Sequence, residues 1–260
     1  MLNAFQNIFK IEELRRRVLF TLGILVVFRV GGHIPTPGID TQALGVFFAG
    51  AGNTLFGMYD MFVGGAFYKA TIFALGIMPY ISASIIIQLL GTVVPFFQRL
   101  QKEGEEGRRK ITQYTRYGTV VLAALQALGT AVFLESITAG QGAAVVPNPG
   151  WGFKFLTMVT FTSGTIFIMW LGEQITERGI GNGISLIIFA GIIATFPQAI
   201  FDEVRELMAG RRGIFTEIFL IALMVAVVAA VVLVTRGQRR SPTSSTTTSR
   251  CSARSITARS

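Results

Sequence analysis

The chain has 260 residues, of which 51% are hydrophobic and only 14% charged, with a net charge of +9 and a mean hydropathy of +0.58. Uncharged stretches able to cross about 30 Å of hydrocarbon recur along it, which a soluble domain would not need, so it reads as a polytopic membrane protein. One cysteine, Cys251, excludes an internal disulfide, one histidine, His33, leaves no cluster for a metal site, and the basic residues fall between apolar segments, which argues against nucleic-acid binding.

Hydropathy and chain-breaking residues predict about six transmembrane helices, near 18–34, 72–96, 116–134, 155–172, 184–201 and 215–235. "KIEELRRR" before the first span resembles the start of a secretion signal, but Arg29 interrupts the apolar core and no small-residue cleavage site follows. Arg29 lies near the far end of its helix, where its stem can snorkel outward, and reads as an anchor. The prolines and glycines of "GGHIPTPGID" force an irregular exit from that helix. "TLFGMYDMFVGGAFYKA" comes next, apolar but too short to span, with Asp60, Lys69, Gly64 and Gly65; it is a re-entrant or interfacial piece, or a cap folded over the helices.

The second span, "LGIMPYISASIIIQLL", carries Gly76 and Pro79 among its apolar residues, with Ile77 and Ile81 four apart on one stripe. "QRLQKEGEEGRRKITQYTRY" follows as a loop of both signs, either a solvated turn with helix-end charges or a docking surface. The fifth span opens "RGIGNGISLIIFAGII", with three glycines, Asn182, and Ile184 and Ile188 again four apart. Ordinary small-residue packing between membrane helices accounts for both patterns on periodicity alone.

The charges predict orientation. Lys10, Arg15, Arg16 and Arg17 precede the first span, six basic residues from Arg99 to Arg116 separate the second and third, Arg178 follows the fourth, and Arg236, Arg239 and Arg240 follow the sixth. These segments share one side, which the positive-inside rule makes cytoplasmic along with the N-terminus. The cores of spans two to five hold no ionisable residue, Glu173 and Glu217 lying near span ends, which disfavours a solute transporter. No nucleophile, base and orienting group recur in a recognisable arrangement, so an enzyme is not expected, nor a cofactor. A scaffold or an apolar conduit remains.

The stretches "FRVGGHIPTPGID", "IFALGIMPYISASIIIQLL", "KEGEEGRRKITQYTRYGT" and "MWLGEQITERGIGNGISLIIFAGI" closely resemble the SecY family, the channel subunits of bacterial Sec protein translocases, in order and from about residue 8 to Arg240. The resemblance implies an hourglass channel of the cytoplasmic (inner) membrane, its waist a ring of aliphatic side chains matching Ile77, Ile81, Ile184 and Ile188. It implies a plug half-helix at about 54–70, centred on Met58, Tyr59, Asp60, Met61, Phe62, Val63, Gly64 and Gly65, and one side of a lateral gate in the second and third spans. The implied partners are the SecE and SecG subunits, the SecA motor or a ribosome, preprotein signal sequences and membrane lipid. Arg236, Gly237, Gln238, Arg239 and Arg240 match the start of the large cytoplasmic docking loop.

On this reading residues 1–213 are the first inverted-repeat half of such a channel, 214–240 a sixth helix and the start of that loop, and 241–260 a Ser/Thr/Arg-rich tail expected to be disordered. The change of composition after Arg240 reads as a shifted reading frame or truncation, against a genuine short tail. A chain lacking the second half is expected to be inactive alone, and a non-conducting scaffold fragment that binds SecE is the alternative.

Overall fold

The computed structural model describes residues 11–50, 60, 61, 63–137, 144–209 and 214–236. The eight helices of these residues are α1 (Glu12–Gly31), α2 (Thr41–Gly50), α3 (Met78–Val93), α4 (Pro95–Lys102), α5 (Glu105–Ser136), α6 (Trp151–Arg178), α7 (Gly183–Met208) and α8 (Ile214–Arg236). Among the described residues no strand forms beyond an isolated antiparallel bridge between Pro35 and Thr71. The chain divides into two compact units, Met1–Ile200 and Phe201–Ser260.

Helices α5, α6, α7 and α8 are long and apolar enough to cross a membrane, and the bent pair α3–α4 makes up to five. The first expected span is the 20-residue α1, whose apolar run is bounded by Arg17 and Arg29. Glu12 and Glu13 occupy its first turn and Arg29 its last, the arrangement the helix dipole favours.

The second span departs from expectation at both ends. Residues 72–77 are turns, because Gly76 adopts φ +54°, and Pro79 sits in the first turn of α3, where a missing N–H leaves no helical bond unmade. The breakers therefore start the helix and do not kink it. At the other end Val94 is extended, Pro95 opens α4, and the axis turns by 97°.

The loop between the second and third spans is mostly helical. α4 and α5 occupy it, leaving a turn at Glu103 and Gly104, and α5 continues unbroken for 32 residues from Glu105. Gly104 makes that turn at φ +70°, and Glu105 and Glu106 lie in the new first turn, so charges that look like a solvated loop are a helix start.

Helix α5 packs most extensively against α6. Thr115, Thr119, Ala123, Ala127 and Ala131 are buried at four-residue intervals along it, a small-residue seam that lets the backbones approach. The threonines return their hydroxyls to their own helix: Thr115 Oγ1 donates to the Ile111 carbonyl (3.0 Å) and Thr119 Oγ1 to that of Thr115 (2.7 Å).

Two apolar clusters form the interior of the first unit. One gathers Leu44 and Phe48 of α2, Phe67, Leu75, Ala127, Leu134, Val145 and Phe161. The other gathers Ile24 and Phe28 of α1, Phe73, Ile77, Ile168, Leu171 and Ile175 of α6, and Ile187 of α7. In the second unit every described side chain of α8 from Phe215 to Arg236 is exposed, an apolar surface suited to lipid or to other membrane helices.

Candidate functional site

The second cluster contains the four isoleucines selected from the sequence. Ile77 is buried at the N-cap of α3, and Ile81, Ile184 and Ile188 are half-buried and packed against the same cluster. Tyr80 and Ile81 both donate backbone N–H bonds to the Ile77 carbonyl, at 3.1 and 3.2 Å, which fixes Ile77 at the start of the helix. The fully buried neighbour on α7 is Ile187, which the four-residue spacing passes over although it lies three residues after Ile184. Sequence reasoning also missed the supporting wall of Ile168, Leu171 and Ile175; their spacing of three and four is a helical stripe on α6 that was available to be read.

A tight turn delivers Ile184 and Ile188 to this cluster. A Cβ on Gly183 would overlap the Gly172 carbonyl oxygen and stand 2.7 Å from the Ile175 Cβ, so only glycine lets α7 leave α6 at that closeness. Asn182 caps α7, its Oδ1 accepting from the amides of Ile184 (3.1 Å) and Ser185 (3.3 Å). Thr176 Oγ1 accepts from Gly183 N–H (2.9 Å), and Thr21 Oγ1 on α1 accepts from Ile180 N–H (3.2 Å), tying the turn to both neighbouring helices. "GIGNG" is thus a built helical hairpin, more specific than general small-residue packing.

Of the expected plug residues, Met58, Tyr59 and Phe62 lie outside the described residues. Asp60, Met61 and Val63 are helical, and Gly64 and Gly65 turn the chain at φ +73° and +83°. Asp60 is 7% exposed, and its Oδ1 accepts from Phe67 N–H (2.9 Å) and Tyr68 N–H (3.1 Å). Burial pushes its carboxyl above the usual range, against the opposing pull of those two bonds and of Lys69. The segment then runs back beside the chain leaving α1, with Thr36 N–H on the Ala70 carbonyl (2.9 Å) and Ile72 N–H on that of Ile34 (3.0 Å).

Arg29 does not behave as an outward anchor. It is half-buried, and its Nη1 donates to the Gly64 carbonyl at 3.2 Å. The reason is local: the Gly64–Gly65 turn brings a backbone carbonyl within reach, where the guanidinium gains a charge-assisted bond.

Two ion pairs join α5 to α6. Arg116 Nε meets Glu173 Oε1 at 2.7 Å, and Glu135 Oε2 meets Lys154 Nζ at 3.1 Å while Glu135 Oε1 accepts from Gly150 N–H at 2.9 Å. The first gives Glu173, which lies near the end of its span, a partner on α5. Among the described residues no group of three or more His, Cys, Asp or Glu could hold a metal ion. Arg236 closes α8, whereas Gly237, Gln238, Arg239 and Arg240 lie outside the described residues.

These features define an all-α, multi-pass membrane protein. The fold is similar to that of Sec61 in the canine ribosome-channel complex from the endoplasmic reticulum, with a TM-score of 0.58 and 19% identity over 82% of this chain and 47% of that one. A second solved structure, described as a protein conducting channel, gives a TM-score of 0.58 and 19% identity over 82% of this chain and 46% of the other. In sequence, the SecY family model matches residues 71–259, a span that continues past Arg240. The chain is 53% identical to the protein translocase subunit SecY of Escherichia coli (strain K12), over 88% of its own length and 51% of that protein's. It is 45% identical to the subunit of the same name from Aquifex aeolicus (strain VF5), over 93% and 57% respectively. The chain belongs to the SecY family. It spans about half the length of these curated relatives.

Proposed function

We propose that this chain supplies the first half of a protein-conducting channel, in which Ile77, Ile81, Ile184 and Ile188 form part of the constriction passed by an unfolded preprotein. The observation that carries the reading is the gathering of these four side chains, from the starts of two helices, into one apolar cluster in a member of the SecY family. An aliphatic constriction suits the task physically. Branched side chains shift to fit any extended polypeptide, gain little specific affinity for it, and dewet when it leaves, which blocks ions. The work asked of the site is conduction and sealing, with no bond made or broken by the chain.

The same reading extends to the surroundings. The segment at 54–70 closes the outer funnel as a plug, and α3 and α5 form one side of a lateral exit for membrane segments. The N-terminus faces the cytoplasm of a bacterial cell, as the positive-inside rule gives it, and the region beginning at Arg236–Arg240 starts the docking surface for the SecA motor or a ribosome. SecE and SecG are the companion subunits. The 260 residues do not conduct by themselves on this reading, because the ring and the gate need the part of the relatives' length that this chain does not span.

The test is reconstitution in lipid vesicles with SecE, SecA and ATP, with and without a separately expressed second half taken from a SecY relative. Protease-protected preprotein accumulates only when both halves are present. Translocation by the chain and SecE alone overturns the half-channel reading. SecE co-purification with no transport in either arm favours a non-conducting scaffold.

A further inference from the structure

Arg29 lies in the last turn of α1, one residue after the buried Phe28, and is itself half-buried. A half-buried guanidinium needs hydrogen-bond partners to offset its desolvation. Among the described residues no carboxylate pairs with it; its side-chain bond is to the Gly64 carbonyl, at 3.2 Å.

The turn that offers this carbonyl is wedged on three sides. A Cβ on Gly64 would stand 3.0 Å from both the Cα and the carbonyl oxygen of Gly191 on α7, and 3.4 Å from Arg29 Nη1. Val63 covers Gly76, where a Cβ would stand 3.2 Å from the Val63 methyl carbons. The α7 contact is glycine against glycine, and the contact ahead of α3 is one valine on a glycine. Val63 and Ala66 are buried, so packing holds the turn within its own segment, while the approach to α7 itself is backbone against backbone with no side chain between. The Arg29 bond is charge-assisted, and stronger than a neutral one.

We propose that Arg29 is a latch: its bond to the Gly64 carbonyl holds the 63–66 turn against α7, and exchanging that bond frees the turn. The ligand that can make the exchange is any extended polypeptide. Its backbone carbonyls have the chemistry of the Gly64 carbonyl, and they are presented whatever the sequence, so an incoming chain could take over the guanidinium as the turn departs. The consequence for gating rests on the plug reading above, whereas the latch itself does not.

Amide hydrogen exchange of the chain in lipid nanodiscs, read by mass spectrometry, tests the latch directly. Arg29→Gln is expected to speed exchange at residues 63–68 by about tenfold, Arg29→Lys to keep part of the protection, and residues 105–136 and 151–178 to exchange as before. Unchanged exchange at 63–68 in Arg29→Gln overturns the proposal, as does an equal loss of protection across α5 and α6, which would make Arg29 a general folding residue. Ion leak through the channel completed by its second half is read separately. Faster local exchange without increased leak leaves the latch standing and removes the plug reading.

Discussion

Arg116 Nε on α5 and Glu173 Oε1 on α6 meet at 2.7 Å across the seam between the two longest helices, with Tyr80 of α3 in the field of both charges. Arg116 is 43% exposed and Glu173 17%, so water screens the pair in part. A double-mutant cycle with Arg116→Gln and Glu173→Gln is expected to give a coupling on the order of 1 kcal/mol in thermal unfolding in detergent. Additive single effects would show that the helices align without the pair.

The α6–α7 turn makes a sharper prediction. Gly183→Ala forces a methyl group into the Gly172 carbonyl and is expected to lower stability by about 1–3 kcal/mol or more. Gly129→Ala on α5, where a Cβ would meet nothing within 4 Å, is expected to be neutral or to stabilise by about 0.5–1 kcal/mol, since alanine is the better helix former. Unfolding midpoints of the two variants provide the comparison.

Thr21 is the acceptor that α1 offers to the Ile180 amide. Thr21→Val keeps the shape and removes the acceptor, leaving that N–H without its partner, and is expected to cost about 1 kcal/mol. Faster amide exchange at Ile180, with α5 unchanged, is the diagnostic result.

Asp60 gives the pH prediction. Because burial raises its carboxyl above the usual range, the folded chain holds that proton more tightly than the unfolded chain does. The resulting stabilisation is fully present below the unfolded value of about 3.9 and is lost as pH rises through the raised folded value. Asp60→Asn keeps an Oδ1 acceptor for Phe67 and Tyr68 and should remove this pH dependence with little loss of stability at neutral pH. Asp60→Ala orphans both amides and is expected to cost about 1–3 kcal/mol. Unfolding midpoints at pH 4 and 7 for the three chains decide it.

The apolar spans were legible because their signal is long and local: α5, α6, α7 and α8 each contain the run expected of them, and the four-residue spacing of Ile77 and Ile81, and of Ile184 and Ile188, is visible in the sequence. Breakers were harder to interpret. Pro79 alone does not locate the helix start, and only the turns of 72–77, with Gly76 at positive φ, show that the helix begins beside it. The mixed-charge loop after α3 was legible as helix-end charge, but its extent was not, because Glu105 and Glu106 look alike in a solvated turn and in a first turn. Long-range polar bonds left no local trace: Thr21 to Ile180, Arg29 to Gly64 and Arg116 to Glu173 join residues distant in sequence, and hydropathy places such side chains at span ends with no partner named.

The central claim is that a translocating polypeptide passes over the isoleucine cluster. Photoreactive residues placed singly at Ile81, Ile188 and, as a control, at Leu125 on an exposed position of α5 would be crosslinked to a preprotein arrested in the channel completed by its second half. Strong crosslinks from Ile81 and Ile188 with none from Leu125 are the predicted result. Crosslinks absent from both isoleucines, or equally strong from Leu125, would contradict the account.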